Sequence, residues 1–474
     1  MLTRQECDSI GTKDVPRDAY YGIQSLRAAD NFKITHNSLH PDLIKSLALV
    51  KKAAVTVNVR VGMLTEKIGK AIIQAADEVI SGSLRKEFIV DPIQGGAGTS
   101  INMNVNEVLA NRAIEILGGQ KGNYDLVHPN NHVNMGQSTN DVVPTAIRLT
   151  VIYLLQGALN ELDNLCEALE DKATEFDDVI KMGRTQLQDA VPIRLGQEFS
   201  AYACAIGRDI KRIKETIDDL RVVNLGATAV GTGLNADLEY VKNVTNCLND
   251  ITGIDFRQAE NLIDATQNVD ALVEVSSALK TCAVNISKMA NDLRLLSSGP
   301  RTGINEINLP ALQPGSSIMP GKVNPVIPEV VNQISFQIIG NDTTITMAAE
   351  AGQLELNVML PVLTYNLFAS IEILQNGIST LTEKAIRGIT ANEDNCRQMV
   401  ENSVSIITAI NPHVGYETAA RIAKKALETG KKVRDIILEE GVLSKEELDR
   451  ILNIYEMTEP GIAGKELLES GGME

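Results

Sequence analysis

The stretch Gly315-Ser316-Ser317-Ile318-Met319-Pro320-Gly321-Lys322-Val323-Asn324-Pro325 sets two hydroxyls, a lysine and an amide among two glycines and two prolines. Neither helix nor strand runs on unbroken through such a composition, so the stretch reads as a loop. Glycines let backbone N–H groups approach a ligand closely. Lys322 offers a positive charge, Asn324 an amide, and Ser316 and Ser317 exchangeable protons, a set that suits a small anion. A nucleotide phosphate does not suit it. The phosphate loop needs four residues between its glycine and the Gly-Lys pair, with Ser or Thr next, whereas five separate Gly315 from Gly321 and Val323 follows the lysine. A Gly/Ser/Pro turn between two helices accounts for the same composition, and spacing alone leaves both readings open.

Other stretches concentrate polar groups in a similar way. Gln94-Gly95-Gly96-Ala97-Gly98-Thr99-Ser100 and Asn134-Met135-Gly136-Gln137-Ser138-Thr139-Asn140-Asp141 each precede a helical pattern, where free N–H groups favour an anion. N-capping explains each of them as well. Gly183-Arg184-Thr185-Gln186-Leu187-Gln188-Asp189 is a polar cluster outside any apolar seam, and the run from Asn224 to Gly233 is too rich in glycine to be helical.

The elements that must position these residues are mostly helices. Up to about residue 140 the pattern is mixed, with helical stretches such as Pro41 to Val61 and Thr65 to Ser81 between Gly- and Asn-rich segments. After Pro144, placed near a first helical turn, the character changes. Leu155, Leu159, Leu162, Cys166 and Leu169 step by four and three, the seam of a long packed helix. Similar seams run from Ile206 to Leu220, Leu272 to Leu296, Ile327 to Ile338 and Leu367 to Leu381. Five helices of such length, each roughly 40 Å at 1.5 Å per residue, exceed what a compact single bundle needs. Apolar surface is therefore expected to remain for other copies of the chain, in a homo-oligomer. The expected fold is all-α with small β-hairpins at most, near the N-terminus. The expected domains are 1–140, mixed helical; 141–394, a central long-helix bundle; and 395–474, a small C-terminal helical domain.

A chain of 474 residues with 44 Lys plus Arg against 61 Asp plus Glu carries a formal charge of -17. Such a chain repels nucleic acid and anionic membrane at long range, so neither is an expected partner, and positive potential for an anionic substrate must be built locally. No signal-peptide core or membrane-length apolar run is apparent, and a cytoplasmic location is expected. The six cysteines and five histidines show no ligand spacing, so no metal site is expected and the thiols read as buried and free.

Taken in order, these motifs resemble those of the aspartase/fumarase superfamily. The Gly315 to Pro325 loop resembles its signature, and Gly98-Thr99, Ser138-Thr139-Asn140 and Thr185-Gln186 look like its other substrate-contacting regions. The likeness runs from Tyr20-Tyr21-Gly22 through Asn411-Pro412 to Pro460-Gly461. It implies three domains, a homotetramer whose central domains form one helical core, and active sites assembled from several subunits. It also implies β-elimination releasing fumarate from a substituted succinate through an aci-carboxylate carbanion, with no required cofactor; activation by a divalent cation is left open.

By this resemblance Ser316 is the general base, a demanding role that backbone N–H donors and the charge of Lys322 must support. Lys322 and Asn324 would hold a substrate carboxylate. Ser317, Thr99, Ser138, Thr139, Asn140, Thr185 and Gln186 would complete the substrate-binding set. Fumarases that resemble this chain carry histidine where Gln186 stands and usually Ser-Ser-Asn in place of Ser138-Thr139-Asn140. Expelling hydroxide needs a proton donor because water is a very weak acid, with a pKa of about 15.7, whereas expelling ammonia from an ammonium group needs none. Gln186 is no useful acid, yet its carbonyl can accept a hydrogen bond from ammonium. Glu329 matches the acid that pairs with that histidine in fumarases. The segment from Asp18 to Arg27 and the one from Gln94 to Ser100 also look like the ammonia-releasing branch, so the implied ligands are L-aspartate, fumarate and ammonium. A class II fumarase is the nearest rival. Argininosuccinate and adenylosuccinate lyases lack support from any extra basic or nucleotide-binding residues here, and an inactive helical scaffold would be expected to have lost the loop residues.

Overall fold

In the computed structural model, which describes residues 2–470, the chain is predominantly helical, and its described strands form four two-stranded sheets. A hairpin of β1 (Thr3–Asp8) and β2 (Gly11–Pro16) precedes α1 (Ile23–Asn31), α2 (Pro41–Arg60), α3 (Glu66–Ile80) and α4 (Thr99–Ile116). Then come α5 (Thr139–Glu175), the hairpin of β3 (Ile180–Thr185) and β4 (Gln188–Arg194), and α6 (Leu195–Leu220). The parallel pair β5 (Val222–Val223) and β6 (Arg257–Gln258) flanks α7 (Leu238–Thr252), and α8 (Asp264–Gln267) and α9 (Asp270–Leu296) follow. Next are β7 (Ile307–Asn308), α10 (Val326–Glu350), α11 (Leu360–Lys384), β8 (Thr390–Ala391) and α12 (Glu393–Asn402). Short helices complete the chain, among them α13 (Ile407–Val414), α14 (Tyr416–Thr429), α15 (Val433–Glu439) and α16 (Lys445–Ile451).

The five seams read from the sequence are α5, α6, α9, α10 and α11, of 37, 26, 27, 25 and 25 residues. Leu155, Leu162, Leu169, Leu279, Cys282, Leu293, Leu367 and Ile371 are all buried, as periodicity at three and four requires of an inward face. Pro144 lies inside α5, close to its start. Its ring supplies no N–H, which leaves the carbonyl of Asn140 without its intrahelical partner. The Asn224 amide donates to that carbonyl at 3.0 Å, so the helix passes through the proline satisfied.

Three expectations need correction. One hairpin does open the chain, but a second, β3–β4, stands at 180–194, where only a polar cluster was legible. Of the thiols, Cys247, Cys282 and Cys396 are buried, whereas Cys7 and Cys204 are exposed and Cys166 is half-buried. An 18-residue window of α5 is apolar enough to cross a membrane, which unbroken apolar runs did not reveal; 83% of it is buried inside the protein, as a core helix would be.

The chain divides into two compact units. One comprises Met1–Asn160, Lys211–Ala283 and Phe336–Gln375; the other comprises Glu161–Ile210, Val284–Ser335 and Asn376–Glu474. In the first, α2 packs against α3, α4 and α7. In the second, the C-terminal helices share a core with the β3–β4 hairpin: Met182 lies among Val400, Ile410, Ile422, Ile436 and Leu448.

Candidate active site

In the first unit the site residues sit at the starts of two helices. The approach to α4 turns through Gly96, Ala97 and Gly98, all with positive φ (91, 56 and 89°). Ala97 holds a left-handed conformation that costs an L residue roughly 1–2 kcal/mol. Gly98 is also closely approached, since a Cβ there would lie 3.2 Å from a Val143 methyl of α5. That close approach sets the two helix starts side by side, and Asn102 ties them, donating from Nδ2 to the Thr139 hydroxyl at 3.3 Å. Two helix N-termini together supply positive potential within an acidic protein.

The hydroxyls and amides here have defined polarity. Thr99 is exposed and donates its proton to the Gly96 carbonyl at 2.7 Å, which leaves its lone pairs outward. Asn140 donates from Nδ2 to the Ala229 carbonyl at 2.7 Å, which leaves its Oδ1 as the acceptor on offer. Ser138 Oγ accepts from the Asn140 N–H at 3.2 Å, and Thr139 Oγ1 accepts from Asn102, so both of these hydroxyls keep a proton to donate.

Beneath this surface lies a buried polar network that sequence reasoning passed over. Lys51 of α2 is fully buried and donates to Asn134 Oδ1 at 2.7 Å and Gln137 Oε1 at 3.0 Å. Asn134 Oδ1 also accepts from Asn102 and Asn106 at 3.2 and 3.3 Å, so the chain of contacts runs from the ammonium to Thr139. Asp141, fully buried, accepts from the backbone N–H groups of Ser138, Gly226 and Thr228 at 2.9, 3.1 and 3.1 Å, which pins the helix start to the glycine-rich segment. Burial pushes the Asp141 carboxyl up to about 6 against those donors and Lys51, and pulls the Lys51 ammonium down to about 7 against the attraction of Asp141. A signal was present: Ile44, Leu47, Lys51, Ala54 and Asn58 step along α2 by three and four, placing a lysine and an amide on an apolar seam.

In the second unit, the loop before α10 is closed at its neck. Gly315 N–H donates to the Lys322 carbonyl at 2.7 Å, and Asn324 Nδ2 donates to the Gly315 carbonyl at 2.7 Å. A side chain at Gly315 would not fit, since its Cβ would stand 2.7 Å from the Lys322 carbonyl oxygen. Within the loop, Ser316 Oγ accepts from the backbone N–H groups of Ile318 and Met319 at 3.2 and 3.1 Å. Ser317 and Lys322 are exposed, and among the described residues Lys322 forms no ion pair. The loop tip also exposes Ile318, 84% accessible, an apolar residue with nothing of its own unit to cover it.

Thr185 and Gln186 form the end of the β3–β4 hairpin. Thr185 pairs with Gln188, so Gln186 and Leu187 alone make the turn, both with positive φ. The tightest hairpin turns need that sign at both positions and ordinarily place Asn or Gly there, which is why no turn was legible in this sequence. Glu329 lies in the first turn of α10. Among the described residues no group of three or more His, Cys, Asp or Glu side chains could hold a metal ion.

Comparison with known proteins extends these observations over the whole chain. Residues 11–340 match a family described as lyase, and residues 406–459 match the fumarase C C-terminus. The chain is 60% identical to the aspartate ammonia-lyase of Bacillus subtilis (strain 168) over 466 residues, 98% of each chain. Among solved structures, a fumarate lyase:delta crystallin from Brucella melitensis bound to cobalt superposes with a TM-score of 0.95 at 50% identity, covering 97% of this chain and all of that one. A class II fumarase from Schistosoma mansoni superposes with a TM-score of 0.92 at 37% identity, over 97% of this chain and 100% of that chain.

Proposed function

The chain belongs to the aspartase/fumarase superfamily of lyases and is an aspartate ammonia-lyase, a carbon–nitrogen lyase; from this premise we propose how its residues divide the work. The observation that carries the assignment of roles is hydrogen-bond polarity. Thr99 and Asn140 present acceptors, which suit the ammonium group of L-aspartate, and Ser138 and Thr139 present donors, which suit a carboxylate. Gln186 adds a further carbonyl acceptor. Lys322 brings positive charge to a carboxylate, while the Asn324 amide, engaged with Gly315, contributes chiefly by holding the loop that carries Ser316 and Ser317.

Ser316 then removes the C3 proton as its alkoxide. Two backbone N–H groups already point at Oγ, and an oxyanion gains more from such donors than a hydroxyl does. The electron pair of the C3–H bond passes to the adjoining carboxylate as an aci-carboxylate with two negative charges. Its return forms the C2–C3 double bond as the C2–N bond breaks, ammonia leaves, and the proton held by Ser316 passes to solvent. Fumarate and ammonium result. No cofactor is required for these steps; dialysis against a chelator that abolishes turnover at saturating aspartate would overturn this.

Thr99, Ser138, Thr139 and Asn140 belong to one unit of the chain and Thr185, Gln186, Ser316 and Lys322 to the other, and the reading includes a cytoplasmic homotetramer in which several copies complete each site. Supporting it, α10 exposes Phe336 and Met347, with Gly340 and Thr343 between them on one face and no charge among the four. The deciding experiment is incubation with fumarate, with and without ammonium. Aspartate is expected only with ammonium. Malate in plain buffer, with no aspartate when ammonium is added, would replace this reading by that of a fumarase.

A further inference from the structure

The turn that carries Gln186 is one its own residues do not favour. Gln186 and Leu187 hold φ of 55 and 60°, and neither residue is one of those that tolerate this conformation well. Something outside the turn has to hold it.

The holding point stands one residue before Thr185. Lys181 and Arg184 are three apart on β3, so a regular strand would send them to opposite faces. The hairpin is not regular there: its register shifts between Met182 and Arg184, opposite Gly183, where a Cβ would come within 2.7 Å of the Val191 carbonyl oxygen. Across this irregularity both cations reach one carboxylate. Arg184 Nη1 lies 2.7 Å from Glu306 Oε1 and Lys181 Nζ lies 2.9 Å from Oε2. Lys181 directs its hydrogen bond to Glu198 at 2.7 Å and meets Glu306 as a neighbouring charge, so Arg184 is the directed partner of Glu306.

Glu306 is a fixed post. It is fully buried, its N–H bonds to the Leu296 carbonyl at the end of α9, and its carbonyl accepts from Asn392 N–H at 2.9 Å and from the Cys396 thiol at 3.6 Å. It also lies nine residues before Gly315, on the segment that leads to the Ser316 loop. A buried cluster of this kind adds little net stability, because desolvation offsets the attraction, but its geometry is directional and stiff.

We propose that Glu306 is a positioning residue for the elimination: by anchoring Arg184 it fixes the strained turn that presents Thr185 and Gln186 to the leaving group. This rests on the reading of that turn as part of the site. The ligand contacts remain those of Thr185 and Gln186, and Glu306 itself touches neither substrate nor the reacting atoms.

The test is a double-mutant cycle on the full-length enzyme with Glu306→Gln, Gln186→Ala and the pair, following kcat and KM for aspartate well below each variant's melting midpoint. Glu306→Gln is expected to lower kcat by about tenfold in the parent and to cost little in the Gln186→Ala background, since the two changes then remove one function. Glu306→Asp is expected to recover part of the loss. Equal costs in both backgrounds would overturn the proposal and leave Glu306 a role in stability alone. Should Glu306→Gln yield no folded protein, Arg184→Lys, which keeps the charge but loses the planar fork, takes its place in the same cycle. Wild-type kinetics for Gln186→Ala alone would instead sink the premise that the turn belongs to the site, an outcome separate from the failure of the anchor.

Discussion

Ser316 can serve as a base only as an alkoxide, and a hydroxyl in water gives up its proton too reluctantly for that. The two N–H groups of Ile318 and Met319 that reach its Oγ are donors that would favour that form. Ser316→Ala is therefore expected to lower turnover by roughly two to four orders of magnitude while fumarate still binds, measured by steady-state kinetics beside equilibrium binding. Near-normal turnover would remove Ser316 from the role. Asn140 makes a sharper case, because its polarity is set by the Ala229 carbonyl. Asn140→Ala is expected to raise KM for ammonium in the reverse reaction by roughly tenfold, the weight of one hydrogen bond to a charged group, with KM for fumarate little changed. The opposite split would make Asn140 a carboxylate ligand. Lys51 bears on stability. Its ammonium, lowered from 10.5 to about 7 by burial, is released in the folded state while the unfolded chain still holds the proton, so stability rises with pH across that window. Below about 7 both states are protonated and the full cost of burial is present. Denaturant midpoints of Lys51→Met and the parent are expected to shift in the parent's favour between pH 7 and pH 10; parallel curves would show that Lys51 does not titrate there. Asp141 runs the other way, with a folded carboxyl at about 6 holding a proton the unfolded chain has lost, but its window lies between 3.8 and about 6.

At the scale of elements, the loop of Ser316 is a closed-neck structure whose geometry depends on Gly315. Any Cβ there meets the Lys322 carbonyl and the Asn324 N–H, both backbone and unable to swing aside. Gly315→Ala is expected to slow turnover strongly, while the melting midpoint stays near that of the parent because the loop is largely exposed. A large fall in the midpoint with normal turnover per folded enzyme would show the neck to be a structural staple only. The composition of this loop was legible from the sequence because Gly, Pro and Ser punctuate it, and the five long helices were legible because residues such as Leu279, Cys282 and Ile286 repeat at helical steps through the core. The β3–β4 hairpin was not, because Gln186 and Leu187 give no turn signal and the turn is held by contacts far along the chain. The same is true of Asn224 and Asn140, whose hydrogen bond lets α5 run through Pro144: they are 84 residues apart, and no local pattern joins them.

At the scale of the whole molecule, a chain with formal charge -17 must bind a dicarboxylate, and on the proposed reading it would do so by local means: two helix starts, a lysine free of ion pairs among the described residues, and buried amides beneath the helix starts. In the proposed homotetramer an uncharged face of α10 would be buried between copies. On α10 the exposed face of Phe336, Gly340, Thr343 and Met347 sits opposite a face on which Asp342 is buried and paired with Ser276 and Lys280. The helix is thus held inward by buried Ile338 and Ile345 together with Asp342 and still presents an uncharged face with Phe336 and Met347 outward, an arrangement that a lone copy in water gains nothing from. Phe336→Asp would place a carboxylate in the middle of that face. It is expected to lower the mass seen by light scattering from four copies towards one or two, to leave the helical content of each copy unchanged, and to abolish activity, since on the proposed reading the residues that complete one site would then belong to separated chains. A variant that stays tetrameric and active would show that this face is turned to solvent and that some other surface joins the copies.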